Sequence, residues 1–188
     1  MVKIISVSPA EYKLIKMRVV YGVHPTIFGY CLIGIKIPEN AVCYLHFFNR
    51  KSDINIKDLK YQWRNAKFSK DRSLTKKIID QILERRNNNN NDDSDISVYL
   101  VGTDFQLKIW EELMNIPIGE TVTYHRIAKA VDCPREIIKT AKVIQSNHIG
   151  YLIPCHRTVS KGSRTITSCW KDDSLTTLLK YESQFVEH

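Results

Sequence analysis

Pro154-Cys155-His156-Arg157 places a thiol next to an imidazole and a guanidinium, behind the apolar lead-in Leu152-Ile153. A cysteine attacks only as its thiolate, which needs a proton acceptor or a positive charge close by. His156 offers the first, Arg157 the second, and Pro154 fixes the backbone just before the sulfur. An ordinary cysteine in an apolar run is a small core residue. A core position rarely needs two polar neighbours, so the tetrapeptide points to a nucleophile at the end of a buried segment.

The surrounding elements supply something for that thiol to act on. Residues 121–164 carry eight Lys or Arg against Asp132 and Glu136. Thr123 can cap a helix from Tyr124 to Val131, a short Asp132-Cys133 turn follows, and Pro134 suits the first position of a further helix. Two short helices joined so tightly read as a helix-turn-helix. In the second, Ile137, Ala141 and Ile144 should face inward. Arg135, Ile138, Lys139 and Lys142 share the other face at i, i+3, i+4 and i+7, which suits contact with phosphates. Ile138 has no electrostatic use there, and an apolar side chain on such a face can wedge into a base stack. A thiol beside this apparatus suggests chemistry on a base, which must be flipped out of a duplex to be reached.

Further motifs occur in order: Gly102-Thr103-Asp104-Phe105-Gln106, Ile109-Trp110, Ile116-Pro117-Ile118-Gly119-Glu120-Thr121-Val122-Thr123-Tyr124, Asn147, the Cys155 tetrapeptide, and Leu178-Leu179 with Glu182. From about Gly102 to Glu182 the chain resembles the O6-alkylguanine-DNA alkyltransferase family. The resemblance implies a single-use DNA repair protein that moves the methyl group of O6-methylguanine, with O4-methylthymine as a weaker substrate, onto its own Cys155, without a cofactor. His156 and Glu182 then match the family's relay, in which the carboxylate orients the imidazole and the imidazole draws the thiol proton through a water. Tyr124 matches the tyrosine that crowds the target phosphate and donates toward the base. Asn147 matches the asparagine that ties the recognition helix to the active-site segment, and Arg157 matches a structural arginine. Thr123 joins the DNA-contacting set, and Tyr151, Pro154, Cys169 and Trp170 the substrate pocket. The partner implied is double-stranded DNA with O6-alkylguanine, bound by a monomer through the minor groove in the nucleus. Ile138 stands where the family often has its intercalating arginine, so the finger is either Ile138 or the adjacent Lys139. Ser168-Cys169-Trp170 replaces the common Tyr-Ser-Gly, which predicts a pocket that prefers methyl to benzyl.

The whole chain sets wider bounds. It has 188 residues, a net charge of +8 and 43% apolar content, enough for one large or two small cores. The net charge favours an anionic partner. Five widely spaced cysteines, an odd number without a CxxC, suit a reducing compartment. No apolar run is long enough for a membrane span, and the Met1–Ser6 start, interrupted by Glu11 and Lys13, makes a poor signal peptide.

The expected class is α/β (α+β). Residues 1–86 read as a small antiparallel-sheet domain with helices, 87–95 as an Asn/Asp-rich linker, and 96–188 as a helical domain containing the helix-turn-helix. Phe28–Ile37 and Ala41–Phe48 around Pro38-Glu39-Asn40 form a hairpin. Asp58–Lys70 and Ser73–Arg86 read as helices. His24, Cys31, Cys43 and His46 match no standard zinc spacing, so no metal is expected. In the second domain Thr103 and Gln106 make a capping box for a helix through Met114, with Phe105, Ile109 and Leu113 inward. Three other functions fit parts of the pattern: a lesion-binding module without transfer, a helix-turn-helix regulator, and a cysteine hydrolase. The first lacks a use for Cys155, the second needs more base-reading side chains than Arg135, and the third would turn over repeatedly.

Overall fold

The computed structural model describes residues 2–87, 96–160 and 174–184. These fall into two compact units, Met1–Gly102 and Thr103–His188.

In the first unit, six strands among the described residues form one sheet in the order β1-β6-β4-β3-β2-β5. They are β1 (Lys3–Val7), β2 (Met17–Thr26), β3 (Gly29–Ile37), β4 (Ala41–Phe48), β5 (Ala66–Lys70) and β6 (Ser97–Val101). The β2-β3-β4 meander is antiparallel. β1 with β6, β6 with β4, and β2 with β5 pair in parallel. The sheet is therefore mixed, where an antiparallel one was expected. Its parallel pairs join strands distant in sequence, which local hairpin signals do not reveal. Ile96–Val101, expected to open the second domain, instead supplies β6 between β1 and β4 of the first unit.

β3 is covered on both faces, which explains its nearly continuous apolar sequence. On one face α2 (Ile56–Gln62) and its C-cap Trp63 bury Leu59 and Trp63 against Met17, Val19, Leu32 and Tyr44. On the other, α3 (Arg72–Asn87) contributes Thr75, Ile78, Ile79 and Ile82. Gly22 allows that approach, since a Cβ there would lie 2.1 Å from Thr75 Oγ1. A short helix, α1 (Pro9–Leu14), follows β1 and is closed by a capping box between Ser8 and Glu11. The helix expected over Asp58–Lys70 stops at Gln62. After a turn, Ala66 and Phe68 alternate with exposed Lys67 and Ser69, the period of a strand, and Phe68 packs edge-on against Tyr21 at 6.5 Å.

The second unit contains α4 (Asp104–Met114), β7 (Val122–Thr123), α5 (Tyr124–Ala130), α6 (Ile137–Gln145), β8 (Thr158–Val159) and α7 (Ser174–Ser183). Thr103 and Gln106 form the capping box of α4, and Ile109, Trp110 and Leu113 are its buried residues. Phe105, expected inside, is half-buried. Trp110 Nε1 donates to the Val143 carbonyl at 3.3 Å, tying α4 to α6. α6 begins three residues later than Pro134 suggested, with Glu136 at its N-cap. Pro134 lies in the preceding turn, where Asp132 takes a left-handed φ of 58° that Asp tolerates. That later start leaves Ile137 37% exposed while Thr140, Val143 and Ile144 are buried. Among the described residues no helix is long and apolar enough to cross a membrane.

Candidate active site

Cys155 opens a single 3-10 turn, Cys155–Arg157, immediately after Pro154. Its backbone is held on both sides. The Cys155 N–H donates to the Ile153 carbonyl at 2.8 Å, and its own carbonyl accepts from Thr158 Oγ1 at 2.7 Å. The residue is 1% exposed.

Asn147 fixes the approach to this turn. Its Nδ2 donates to the carbonyls of Ile153 at 2.9 Å and Ile149 at 3.4 Å, while its Oδ1 accepts from Ile149 N–H at 2.9 Å. The amide is the right group because it donates and accepts at once. Between these contacts Tyr151 is buried with φ 69°, a left-handed conformation that costs an L-residue about 1–2 kcal/mol. After the turn, β8 pairs in parallel with β7, Thr158 opposite Val122 and Val159 opposite Thr123. This ladder connects the thiol segment to the start of α5. There Thr123 Oγ1 accepts from Arg126 N–H at 3.3 Å, and Tyr124 is the buried first residue.

α7 brings Glu182 to the two residues that follow Cys155. His156 Nε2 lies 2.8 Å from Glu182 Oε1. Arg157 donates to the same carboxylate through Nε to Oε2 at 2.8 Å and Nη2 to Oε1 at 2.9 Å, and through Nη1 to the Ile116 carbonyl. His156 and Glu182 are fully buried and Arg157 is 5% exposed. A permanently charged guanidinium on a forked contact keeps this carboxylate an acceptor. The imidazole must then present its hydrogen at Nε2, which leaves a lone pair on Nδ1 in the neutral ring. Nδ1 is buried and has no protein partner among the described residues. The structure thus supplies the orienter and the base of a nucleophile–base–orienter set, with Cys155 the adjacent residue in the chain and no direct hydrogen bond to His156 Nδ1.

The sequence reading left Arg157 as a structural residue and missed that it shares Glu182 with His156. The adjacency of His156 and Arg157 was the available signal, since one tight turn directs both toward one acceptor. Arg135, Ile138, Lys139 and Lys142 are all exposed, on α6 or the turn before it. Ile138 is 76% exposed. Lys139 Nζ sits over the Phe105 ring, 4.6 Å from its centroid, a second contact the sequence did not disclose. Pro154 and Tyr151 are buried beside the turn. Cys169 and Trp170 lie outside the described residues. So does the 88–95 part of the expected linker. Among the described residues no group of three or more His, Cys, Asp or Glu is placed to hold a metal ion.

Fold and site together define a two-unit protein with a buried cysteine followed by a carboxylate-held imidazole. Residues 104–184 match the family described as 6-O-methylguanine DNA methyltransferase, DNA binding domain. A probable methylated-DNA–protein-cysteine methyltransferase of Acanthamoeba polyphaga mimivirus is 39% identical over 70 residues, 37% of this chain and 47% of the relative. The methylated-DNA–protein-cysteine methyltransferase of Saccharomyces cerevisiae is 36% identical over 86 residues, 46% of each chain. The chain thus spans about half the length of these two relatives. The fold is shared with the O6-methylguanine methyltransferase of Mycobacterium tuberculosis, at TM-score 0.66 and 20% identity over 88% of this chain and 93% of that one.

Proposed function

We propose that this protein repairs DNA by moving the alkyl group of O6-methylguanine, and more slowly that of O4-methylthymine, to Cys155 in a single irreversible event. The observation that carries the reading is the buried Cys155-His156 pair with Glu182 and Arg157 behind it, in a stretch that matches the 6-O-methylguanine DNA methyltransferase DNA-binding family. The Cys155 thiol gives up its proton toward His156, and the thiolate attacks the methyl carbon. The S–C bond forms as the C–O6 bond breaks, the electron pair passes to the base, and the proton ends on guanine. The product thioether has no easy route back, so each protein acts once and no cofactor takes part.

DNA contact is assigned to α5 and α6 as a helix-turn-helix that approaches the minor groove. Arg135 and Lys142 meet phosphates, Thr123 and Tyr124 crowd the target nucleotide, and the base is flipped toward Cys155. Ile138 is the wedge in this reading. It is the more exposed of the two exposed isoleucines of α6, whereas the Lys139 ammonium is engaged by Phe105. Tyr151 and Pro154, with Cys169 and Trp170, are assigned to the pocket. The protein acts as a monomer, and its nuclear location follows from the substrate.

The test is a duplex with one O6-methylguanine carrying a labelled methyl group, mixed with limiting protein and read by peptide mass spectrometry. One methyl per protein on Cys155, with intact guanine left behind, is the expected result. Binding without label on the protein would make the chain a lesion-recognition module, and repeated product release would make it a hydrolase.

A further inference from the structure

The first unit carries a basic surface that alkyl transfer leaves unused. From Arg50 to Lys77 the sequence has ten Lys or Arg against three Asp. This stretch borders an open groove of about 310 Å³. Its floor includes Tyr30 of β3 together with Ile54 and Ile56, all half-buried. Its rim includes Lys51, Lys70 and Arg72, all exposed, with Lys70 and Arg72 two residues apart and Lys51 from an earlier part of the chain.

These rim cations have no carboxylate partner among the described residues, whereas Lys36 and Lys76 pair with Glu39 and Asp80. The nearby acids are otherwise engaged. Asp71 Oδ1 accepts from Leu74 N–H at 3.0 Å at the start of α3, and Asp53 Oδ1 accepts from Ser52 Oγ at 3.1 Å. Three cations without a salt-bridge partner, around a floor that holds an aromatic ring, combine the two features that bind single-stranded nucleic acid, a positive track and a stacking platform.

We propose that this groove binds a segment of single-stranded DNA, with phosphates on Lys51, Lys70 and Arg72 and one base against Tyr30. A duplex offers no unstacked base for the floor. An acidic peptide would have to combine closely spaced carboxylates with an aromatic side chain, whereas every nucleotide brings both a phosphate and a ring. The site lies wholly in the first unit and does not depend on the chemistry assigned to Cys155.

The experiment uses the full chain with Arg135→Glu, Lys139→Glu and Lys142→Glu to silence the other basic surface. Binding of a fluorescein-labelled oligothymidylate of about 12 nucleotides is followed by anisotropy across a salt series. Adding Lys51→Glu, Lys70→Glu and Arg72→Glu should weaken binding at least ~10-fold and make the log–log salt dependence shallower by about 2, as expected for three lost phosphate contacts. Tyr30→Ala should weaken it ~5-fold or more, and Tyr30→Phe should not. The gentler Lys51→Gln, Lys70→Gln and Arg72→Gln set, with thermal melts, separates lost binding from lost folding. In the otherwise native chain, the groove substitutions should leave methyl transfer to Cys155 at its original rate, so this test and that of the transfer reading fail separately. Unchanged affinity and salt dependence would overturn the proposal. So would a groove that binds a labelled Glu–Tyr copolymer but not the oligonucleotide, which would make its partner a protein.

Discussion

Arg157 and Glu182 meet through two N–H···O bonds of 2.8 and 2.9 Å, one to each carboxylate oxygen, and His156 shares the same carboxylate. The fork does more than neutralise a buried charge. It anchors the carboxylate to the 3-10 turn that carries Cys155, so one side chain from α7 both orients the imidazole and secures the turn. The Arg157 contact to the Ile116 carbonyl extends that hold to the segment after α4. Stability and the proposed chemistry therefore meet at Glu182.

Glu182→Gln keeps the volume but removes the charge that both partners face. Breaking a buried pair by changing one member costs about 3–5 kcal/mol, because the other charge is left uncompensated. Urea unfolding should show a loss of that size. Single-turnover methyl transfer should slow by at least ~100-fold, the usual worth of an oriented base. A variant as stable and as fast as the parent would remove Glu182 from both roles.

Ile138 and Lys139 are neighbours with opposite surroundings, one 76% exposed and the other over Phe105. A wedge matters only where a base must be extruded from a stack. Ile138→Ala should therefore slow transfer from duplex by about 10-fold while leaving transfer from a single strand near its original rate; both rates come from the same labelled-methyl assay. Ile138→Arg should restore duplex transfer and steepen the salt dependence of binding by about 0.9 if the new cation meets one phosphate. A larger duplex-specific loss from Lys139→Ala would assign the wedge to Lys139 instead.

The helices of the second unit were legible where caps and periodicity agreed, as in α4 with Thr103 and Gln106. The hairpin of β3 and β4 was legible from two apolar runs around Pro38-Glu39-Asn40. β5 was not, because Ala66–Lys70 follows a helical segment and pairs with β2, distant in sequence. β6 was misplaced for the same reason, since Ile96–Val101 declares itself a strand but not its partners. At the site, residue types pointed to Cys155 and His156, whereas Glu182 came only from the resemblance to a known family. The shared use of Glu182 by Arg157 and the Lys139–Phe105 contact depend on side-chain directions that spacing alone does not fix.

The cysteines differ in reach. Burial pushes the Cys31 thiol up to about 12 and raises that of Cys43 further still. Cys133 is half-buried in the turn between α5 and α6. With iodoacetamide at about pH 8, native protein should be labelled at Cys133 well before Cys31 or Cys43, since only thiolate reacts. Unfolding in urea should bring Cys31 and Cys43 to the same rate as Cys133, as peptide mapping would show. Rapid labelling of Cys31 in the native state would contradict the burial of β3.

His24 makes the first unit sensitive to acid. Its Nε2 lies 2.8 Å from Thr75 Oγ1, whose own hydrogen goes to the Asp71 carbonyl, so the imidazole is the donor in this bond. Burial, and then the positive charges of Arg72 and Lys76, lower its pKa, with Asp80 opposing them weakly. Above about pH 6.5 the ring is neutral in both folded and unfolded chains, and this stability is fully present. As pH falls below that value the unfolded chain takes up a proton that the folded chain resists, so stability declines until the lower folded pKa is reached and then levels off. His24→Gln can still donate to Thr75 but does not titrate. Urea midpoints for the first unit, measured between about pH 5 and 8, should fall less steeply toward acid in the variant than in the native chain. Parallel profiles would mean that His24 titrates alike in both states, and that β2 and α3 do not hold it neutral.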